Sequence, residues 1–405
     1  MNFKQRREDF PTLRLEDTPA YLDNACVTLK PDRVVEAVQE YYLVNPSCGG
    51  RSAHRYGTKV TQGVRTARSN IASFINAETN SEVVFTRNAT HSLNQVAHGL
   101  EWNKDDVVLT TDREHNSNLV PWLQLEKEQG IDHRVVASKP DNTFDLETFE
   151  AACADAGSKL KLVSMGHVGN LDGVCLPIKE ITKIAHDHGA LMCVDGAQST
   201  PHMKVDVKAL DIDFLAFSLH KMCGPSGMGG LWGRYDLLDG LRTIQAGGQT
   251  VQNATYDSFE WAPPPGRFEG GLGNFAGMLA SGAAVEYLSE FDMDAIKEHE
   301  IKLNRIMSKP IRDLDAVDII GPEDPALRGG ICSILMNELP THDIAILLDE
   351  VAGVMVRSGQ HCVHSWFHDR GHPNGSLRAS AYFYNTEEEA KLFADTFEEA
   401  VQAFS

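Results

Sequence analysis

No apolar run in these 405 residues is long enough to cross a bilayer. No block of Lys or Arg offers a surface for nucleic acid, and no CxxC pair marks a metal or redox site. Acidic residues outnumber basic ones 57 to 37, for a formal charge of −20. Such a chain repels nucleic acid and anionic membranes. Eight cysteines, at 26, 48, 153, 175, 193, 223, 332 and 362, follow no regular spacing. The opening residues Met1 to Phe10 carry charge and lack the apolar stretch of a signal peptide. The cysteines therefore read as reduced thiols, most of them small buried hydrophobes, and the expected compartment is the cytoplasm. Repeats and low-complexity tracts are absent too. The chain is 42% hydrophobic and 23% charged, which suits one large globular domain and one smaller one.

From about residue 30 to 235, short apolar runs alternate with helical patterns. Strands are expected at 82–86, 106–111, 134–137, 160–165, 191–194, 214–217 and 228–232. Helices are expected at 33–43, 58–75, 90–100, 117–129, 146–156 and 178–188. This alternation argues for a mostly parallel sheet covered by helices, with ligands at the carboxyl ends of its strands. Residues 245–275, rich in Gly and Pro, read as a long loop of the kind that is often functional. After about 285 the pattern changes to a helix at 292–312, a strand at 330–336, a helix at 341–351 and a strand at 354–357. A second loop spans Ser358–Gly375. The last helix opens on a capping box, Thr386-Glu-Glu-Glu389, and shows an apolar face of Phe393, Phe397, Ala400, Val401 and Phe404. The expected division is 16–285 for the large α/β domain and 286–405, with 1–15, for a small α+β domain.

The most telling residue is Lys221, in Phe214-Leu-Ala-Phe-Ser218-Leu-His220-Lys221-Met-Cys-Gly224. It follows a strand-like run and precedes a Gly-rich turn. Upstream, Leu191-Met-Cys-Val-Asp195-Gly-Ala-Gln198 is a second strand-like run closed by an aspartate. A lysine after one buried strand and an aspartate ending its neighbour are what pyridoxal 5′-phosphate (PLP) requires. The lysine forms the Schiff base, and the carboxylate keeps a proton on the ring nitrogen. Taken singly, each has a plainer reading: a surface lysine in a turn and a helix N-cap aspartate. Together they favour the cofactor. Gln198 is placed to hydrogen-bond the ring hydroxyl.

Phosphate needs donors at a helix start. Thr86-Arg-Asn-Ala89-Thr90-His follows a strand and opens a helix, an anion site by its geometry. Ser218 and His220 can add donors, and ordinary capping is the competing use of Thr90. His115, after the strand ending near Thr111, is placed to stack on a flat cofactor and exchange protons near neutral pH. A plain loop histidine is its competitor, in a chain with 16 of them. Cys362 lies in a polar loop beside Arg357, His361 and His364, neighbours of the kind that favour a thiolate. Without the PLP residues it would be an ordinary loop cysteine.

The stretches Tyr21-Leu-Asp-Asn-Ala25, Glu114-His115, Gly166-His-Val-Gly-Asn170-Leu-Asp-Gly173, Asp195-Gly-Ala-Gln198, Ser218-Leu-His220-Lys221, Arg267-Phe-Glu-Gly-Gly271 and Arg357-Ser-Gly-Gln-His-Cys362 resemble the class V aminotransferase superfamily. More narrowly they resemble cysteine desulfurases of the SufS/CsdA type, alongside selenocysteine lyases. The order holds over nearly the whole chain. The resemblance implies the PLP-dependent transferase fold type I: a mostly parallel, helix-covered α/β sheet with a smaller α+β domain. It also implies a homodimer with PLP as cofactor and sites near the subunit interface.

Carried onto this chain, the resemblance makes Lys221 the Schiff-base lysine and the proton carrier at the substrate Cα. Asp195 and Gln198 hold the ring, with His115 stacked on it and Asn170 near its hydroxyl and the substrate. Ala89, Thr90, Ser218 and His220 form the phosphate site. Arg378 grips the substrate carboxylate, with His54 at the substrate edge. Cys362 takes the sulfur as a persulfide, L-cysteine becomes L-alanine, and the sulfur passes to an acceptor protein for iron–sulfur or thio-cofactor synthesis. No metal is implied. The alternatives are a selenocysteine lyase, another class V aminotransferase or lyase, and, least favoured, a non-enzymatic protein on the same fold.

The chain departs from the family pattern at several points. Gly50-Arg51-Ser-Ala-His54 stands for His-Arg-Gly-x-His. Ala89-Thr90 replaces a threonine pair. Gly271-Leu272-Gly273 replaces Gly-Thr-Pro. Gln360-His361-Cys362 replaces His-His-Cys, and Val-His-Ser-Trp366-Phe follows it.

Overall fold

The expected β/α alternation forms one seven-stranded sheet in the computed structural model, which describes residues 3–404. Met1, Asn2 and Ser405, assigned above to the small domain, lie outside the described residues. The strands lie side by side in the order Val83–Thr86, Gly229–Gly233, Phe214–Ser218, Leu191–Asp195, Leu160–Gly166, Val107–Thr111, Asp132–Val136. Gly229–Gly233 runs antiparallel to both of its neighbours. The other pairings are parallel.

Strand side chains alternate between two faces, and here both faces are covered. Phe85, Leu109, Val163, Met165, Met192, Val194, Leu215 and Phe217 enter one core. Their sequence neighbours Val84, Val108, Leu162, Cys193, Phe214 and Ala216 enter the other. A strand buried on both sides reads as an unbroken apolar run, which is how these segments appear in the sequence. Each fully buried Val, Leu or Phe contributes roughly 1.5–3 kcal/mol. The centre of the sheet therefore gives its strand ends a rigid mounting.

The second sheet has four antiparallel strands in the order Val317–Ile319, Ile331–Met336, Ser376–Ser380, Arg357–Gly359. Its own core joins Leu303, Ile334, Leu348, Phe393 and Phe397. These come from the sheet and from helices Met293–Ser308, Thr341–Ala352 and Glu387–Phe404. The capping box forms as expected: Glu389 N–H donates to Thr386 Oγ1 at 3.1 Å, and Thr386 N–H to Glu389 Oε2 at 2.9 Å.

Several expectations need correction. The loop at 245–275 contains a β-hairpin, Val251–Ala254 with Phe259–Trp261. The expected strand at 354–357 divides between two sheets: Val354–Met355 pairs with Ala20–Tyr21, and Arg357 opens an edge strand of the small sheet. The helix expected at 292–312 ends at Ser308, because Pro310 cannot continue it. Within Ser358–Gly375 lies a short helix, His364–Asp369. Helix Phe275–Leu288 falls where the sequence pattern predicts none. It is buried on nearly every side, so it shows no polar stripe from which a helical period can be read.

Candidate active site

Four parallel strands of the large sheet end at one place. Leu191–Asp195 ends on Asp195, which pairs with Gly166, the last residue of Leu160–Gly166. Phe214–Ser218 ends on Ser218 and turns through Leu219–Lys221. Val107–Thr111 leads to Glu114 and His115. From the other side, the small sheet brings Arg357, Cys362 and Arg378. Together they line a cavity of about 240 Å³.

Lys221, Asp195, Gln198, His115, Ala89, Thr90, Asn170, Ser218, His220, Arg378 and Cys362 all line it. His54 does not. It is exposed and caps helix Arg55–Phe74, its Nδ1 accepting from Gly57 N–H at 3.3 Å.

Burial pushes the Lys221 ammonium down from 10.5 to about 8, against the pull of Asp195. An amine so placed is a nucleophile near neutral pH. Asp195 is buried, with Oδ1 accepting from Ala197 N–H at 3.0 Å. Burial raises this carboxylate and Lys221 lowers it. Gln198 donates through Nε2 to the Ala25 carbonyl at 2.8 Å, while its buried Oε1 has no partner. A buried acceptor left open is costly unless something fills its need. At the start of helix Ala89–Gly99, Ala89 N–H donates to Ser218 Oγ at 2.9 Å, and the Thr90 and Ser117 hydroxyls meet at 2.6 Å.

The histidines differ from expectation. Burial, reinforced by the charge of Lys221, drives His115 down to about 3, so its ring is neutral rather than poised near pH 7. Nδ1 accepts from Ser117 N–H at 3.0 Å, which leaves the proton on Nε2. His220 falls to about 4 and His361 to about 2, both chiefly through burial. His361 therefore adds no positive charge beside Cys362; its Nε2 lies 3.0 Å from Ser376 Oγ. Glu114 holds the turn before His115 in place. It accepts from Thr111 Oγ1 at 2.7 Å, Asn118 Nδ2 at 2.8 Å and Gly166 N–H at 3.0 Å. Burial raises it to about 7.

The Cys362 loop is tightly held. Asn116 N–H donates to the Cys362 carbonyl at 2.7 Å, and Asn170 Nδ2 to the His361 carbonyl at 2.8 Å. His361 and Cys362 sit in succession at φ of 48° and 60°. Non-glycine residues are uncommon there, and such strain persists only where surroundings impose it. The helix after Cys362, where the chain departs from the family pattern, buries Trp366 and Phe367 against Leu171, Ile320 and Val363. Those side chains anchor the far side of the loop.

Arg357 and Arg378 face each other across adjacent strands. Like charges so paired repel unless anions answer them. Arg378 is buried; Nη1 donates to the Asn170 carbonyl at 2.8 Å, Nη2 lies 3.5 Å from Asp23 Oδ1, and Nε has no partner. Arg357 donates through Nη1 to the sulfur of Cys26 at 2.6 Å. Cys26, in sequence one small hydrophobe among eight, lines the cavity. Its only signal in the sequence is local: it directly follows the Tyr21–Ala25 stretch.

Comparison with known proteins bears on these residues together. The family model for class-V aminotransferases matches residues 20–393. A probable cysteine desulfurase of Halalkalibacterium halodurans is 36% identical over 100% of this chain and 99% of its own length. One of Methanothermobacter thermautotrophicus is 38% identical over 98% of each chain. Among solved structures, the apo cysteine desulfurase of Thermococcus onnurineus NA1 superposes with a TM-score of 0.94 at 35% identity, covering 100% of this chain and 99% of that one. The cysteine desulfurase CsdA of Escherichia coli, in an S-sulfonic acid form, gives 0.91 at 29% identity, with 100% of both chains covered.

Proposed function

The chain belongs to the class-V aminotransferase family, and on that premise we propose that it is a PLP-dependent cysteine desulfurase, converting L-cysteine to L-alanine. The observation that carries this reading is one cavity lined by a low-pKa lysine, a buried aspartate, two facing arginines and Cys362.

The residues present fit the cofactor. The open Oε1 of Gln198 and the open Nε of Arg378 are buried polar atoms that a polar occupant would satisfy. Lys221 would hold PLP through its amine, Asp195 through the ring nitrogen, and Gln198 through the ring hydroxyl. His115 would lie against the ring, and Ala89, Thr90, Ser218 and His220 would hold the phosphate. When bound, PLP supplies an electron sink for carbanion character at the substrate Cα.

The chain's own groups supply the rest. Arg378 receives the substrate carboxylate, a pairing in which a guanidinium is strong. Asn170, fixed by its bond to the Cys362 loop, borders the same space. Lys221 moves a proton at Cα. Cys362 attacks the substrate Sγ as a thiolate. An S–S bond forms, the Cβ–Sγ bond breaks, and its electron pair stays on carbon, where a proton completes alanine. The sulfur remains on Cys362 as a persulfide.

The finer reading extends to partners and place. The persulfide passes to an acceptor protein serving iron–sulfur or thio-cofactor synthesis. The active form is a homodimer, which leaves His54 free to serve the substrate edge of the other subunit's cavity. The compartment is the cytoplasm; among the described residues no helix is long and apolar enough to cross a membrane. A large and a small domain are supported by the two separate sheets. A boundary at 285/286, however, would cut helix Phe275–Leu288, and Phe10, Leu288, Phe291 and Tyr382, all assigned to the small domain, pack in the core of the large sheet.

The test is incubation with L-cysteine, followed by mass measurement of the peptide carrying Cys362. A gain of one sulfur is expected there, with alanine released. Unchanged alanine production by Cys362→Ala would remove the persulfide role. Lys221→Ala should lose the visible absorbance of the bound cofactor. Parallel assays with selenocysteine, and of amino transfer to a keto acid, separate the selenocysteine lyase and transaminase alternatives.

A further inference from the structure

Of the eight cysteines, two line the cavity: Cys362 and Cys26. We propose that Cys26 is a second sulfur-accepting thiol of this active site, taking the sulfane sulfur that Cys362 first lifts from the substrate. The proposal rests on the desulfurase reading above.

Cys26 is held in position by its backbone neighbours. Ala25 N–H donates to Ser380 Oγ at 2.9 Å, and the Ala25 carbonyl accepts from Gln198 Nε2 at 2.8 Å. Cys26 N–H donates to the Asp23 carbonyl at 3.1 Å. Thr28 N–H, two residues on, donates to the carbonyl of His220, next to Lys221. The segment thus bridges the lysine turn and the strand that carries Arg378.

Its sulfur has a cationic partner, the Arg357 N–H at 2.6 Å. That is the electropositive setting in which cysteines act as nucleophiles, whereas inert structural thiols sit in apolar surroundings. Cys153 and Cys193 are buried in hydrophobic clusters of that kind. Cys26, Cys362 and Lys221 line the same cavity. A further donor awaits an anion in this wall: Arg378, 2% exposed, has an unpartnered Nε. A persulfide anion is one group that can use it.

The step balances without an outside oxidant. The Cys26 thiolate attacks the terminal sulfur of the Cys362 persulfide. The S–S bond to Cys362 breaks as an S–S bond to Cys26 forms. The electron pair leaves on Cys362, which takes up the proton that Cys26 gave. One thiol and one persulfide exchange places, and Cys362 is ready for another substrate while sulfur is still stored.

Trypsin separates the two thiols, into peptides 15–33 and 358–370, each with a single cysteine. Holoenzyme is incubated with L-cysteine, trapped by alkylation and digested. Both peptides are expected to gain one sulfur. In Cys362→Ala the gain on 15–33 should vanish. In Cys26→Ala only 358–370 should gain sulfur, with higher occupancy than in the parent. Sulfur on 358–370 alone in the parent overturns the relay and leaves the desulfurase reading standing. Sulfur on 15–33 in Cys362→Ala also overturns it, because Cys26 would then take sulfur from the substrate directly. No alanine and no sulfur on either peptide refutes the desulfurase reading, and the relay with it.

Discussion

The amine of Lys221 must be neutral to capture an aldehyde, and its surroundings set how often it is. An ordinary lysine at 10.5 is neutral in only about one molecule in 3,000 at pH 7. With burial bringing it to about 8, about one in ten is neutral, a gain of roughly 300-fold in reactive amine. The assay is the rate at which apoprotein takes up added PLP, followed by visible absorbance across a pH series. The rate should rise with pH and level off with a midpoint near 8. Asp195→Asn is the paired perturbation. Asp195 raises Lys221 by its negative charge, so its removal should move the midpoint below that of the parent. A rate still climbing tenfold per pH unit beyond about pH 9 would mean that the amine titrates as if solvated. A midpoint raised by Asp195→Asn would show that the aspartate does not act through its charge. The first result refutes the lowering of Lys221 by burial, and the second refutes its opposition by Asp195.

Other residues allow equally direct checks. In Gly375→Ala a Cβ would lie 2.2 Å from the Gly359 carbonyl carbon, at a φ of +75°. The Cys362 loop must then shift, and alanine release should fall at least about tenfold while PLP absorbance is retained, a loss of about 1.4 kcal/mol or more. The buried Arg113–Asp172 pair, 2.7 Å apart, ties the turn before His115 to the segment after Asn170. Arg113→Ala strands the carboxylate and should cost about 3–5 kcal/mol in urea unfolding. The His115 ring, held neutral with its proton on Nε2, should show no titration between pH ~5 and 8 when followed by nitrogen NMR, in contrast to a solvated histidine near 6.5.

Much of the large sheet was legible because most of its strands, the edge strand Asp132–Val136 excepted, are buried on both faces and so appear as apolar runs. Lys221, Asp195 and His115 were legible because they stand just beyond such runs, where ligands of parallel sheets bind. Helix Phe275–Leu288 was hidden for the opposite reason: full burial erases the polar stripe that marks a helix. The hairpin Val251–Ala254/Phe259–Trp261 was hidden by the Gly and Pro around it, which read as loop.

For Lys221, sequence by itself determined the local setting: a lysine one short turn past a buried strand, with Asp195 ending its neighbour. Those are contacts within a few residues or between adjacent repeats of one pattern. Tertiary structure alone decided its charge, since burial is a property of the whole enclosure. The same enclosure neutralised His115 and His361, which local sequence presents as titrating or cationic groups. It also set Arg357 opposite Arg378 and brought Cys26 into the cavity of Cys362. Cys26 and Cys362 are more than three hundred positions apart and come together only in the tertiary fold, so no local pattern records that meeting.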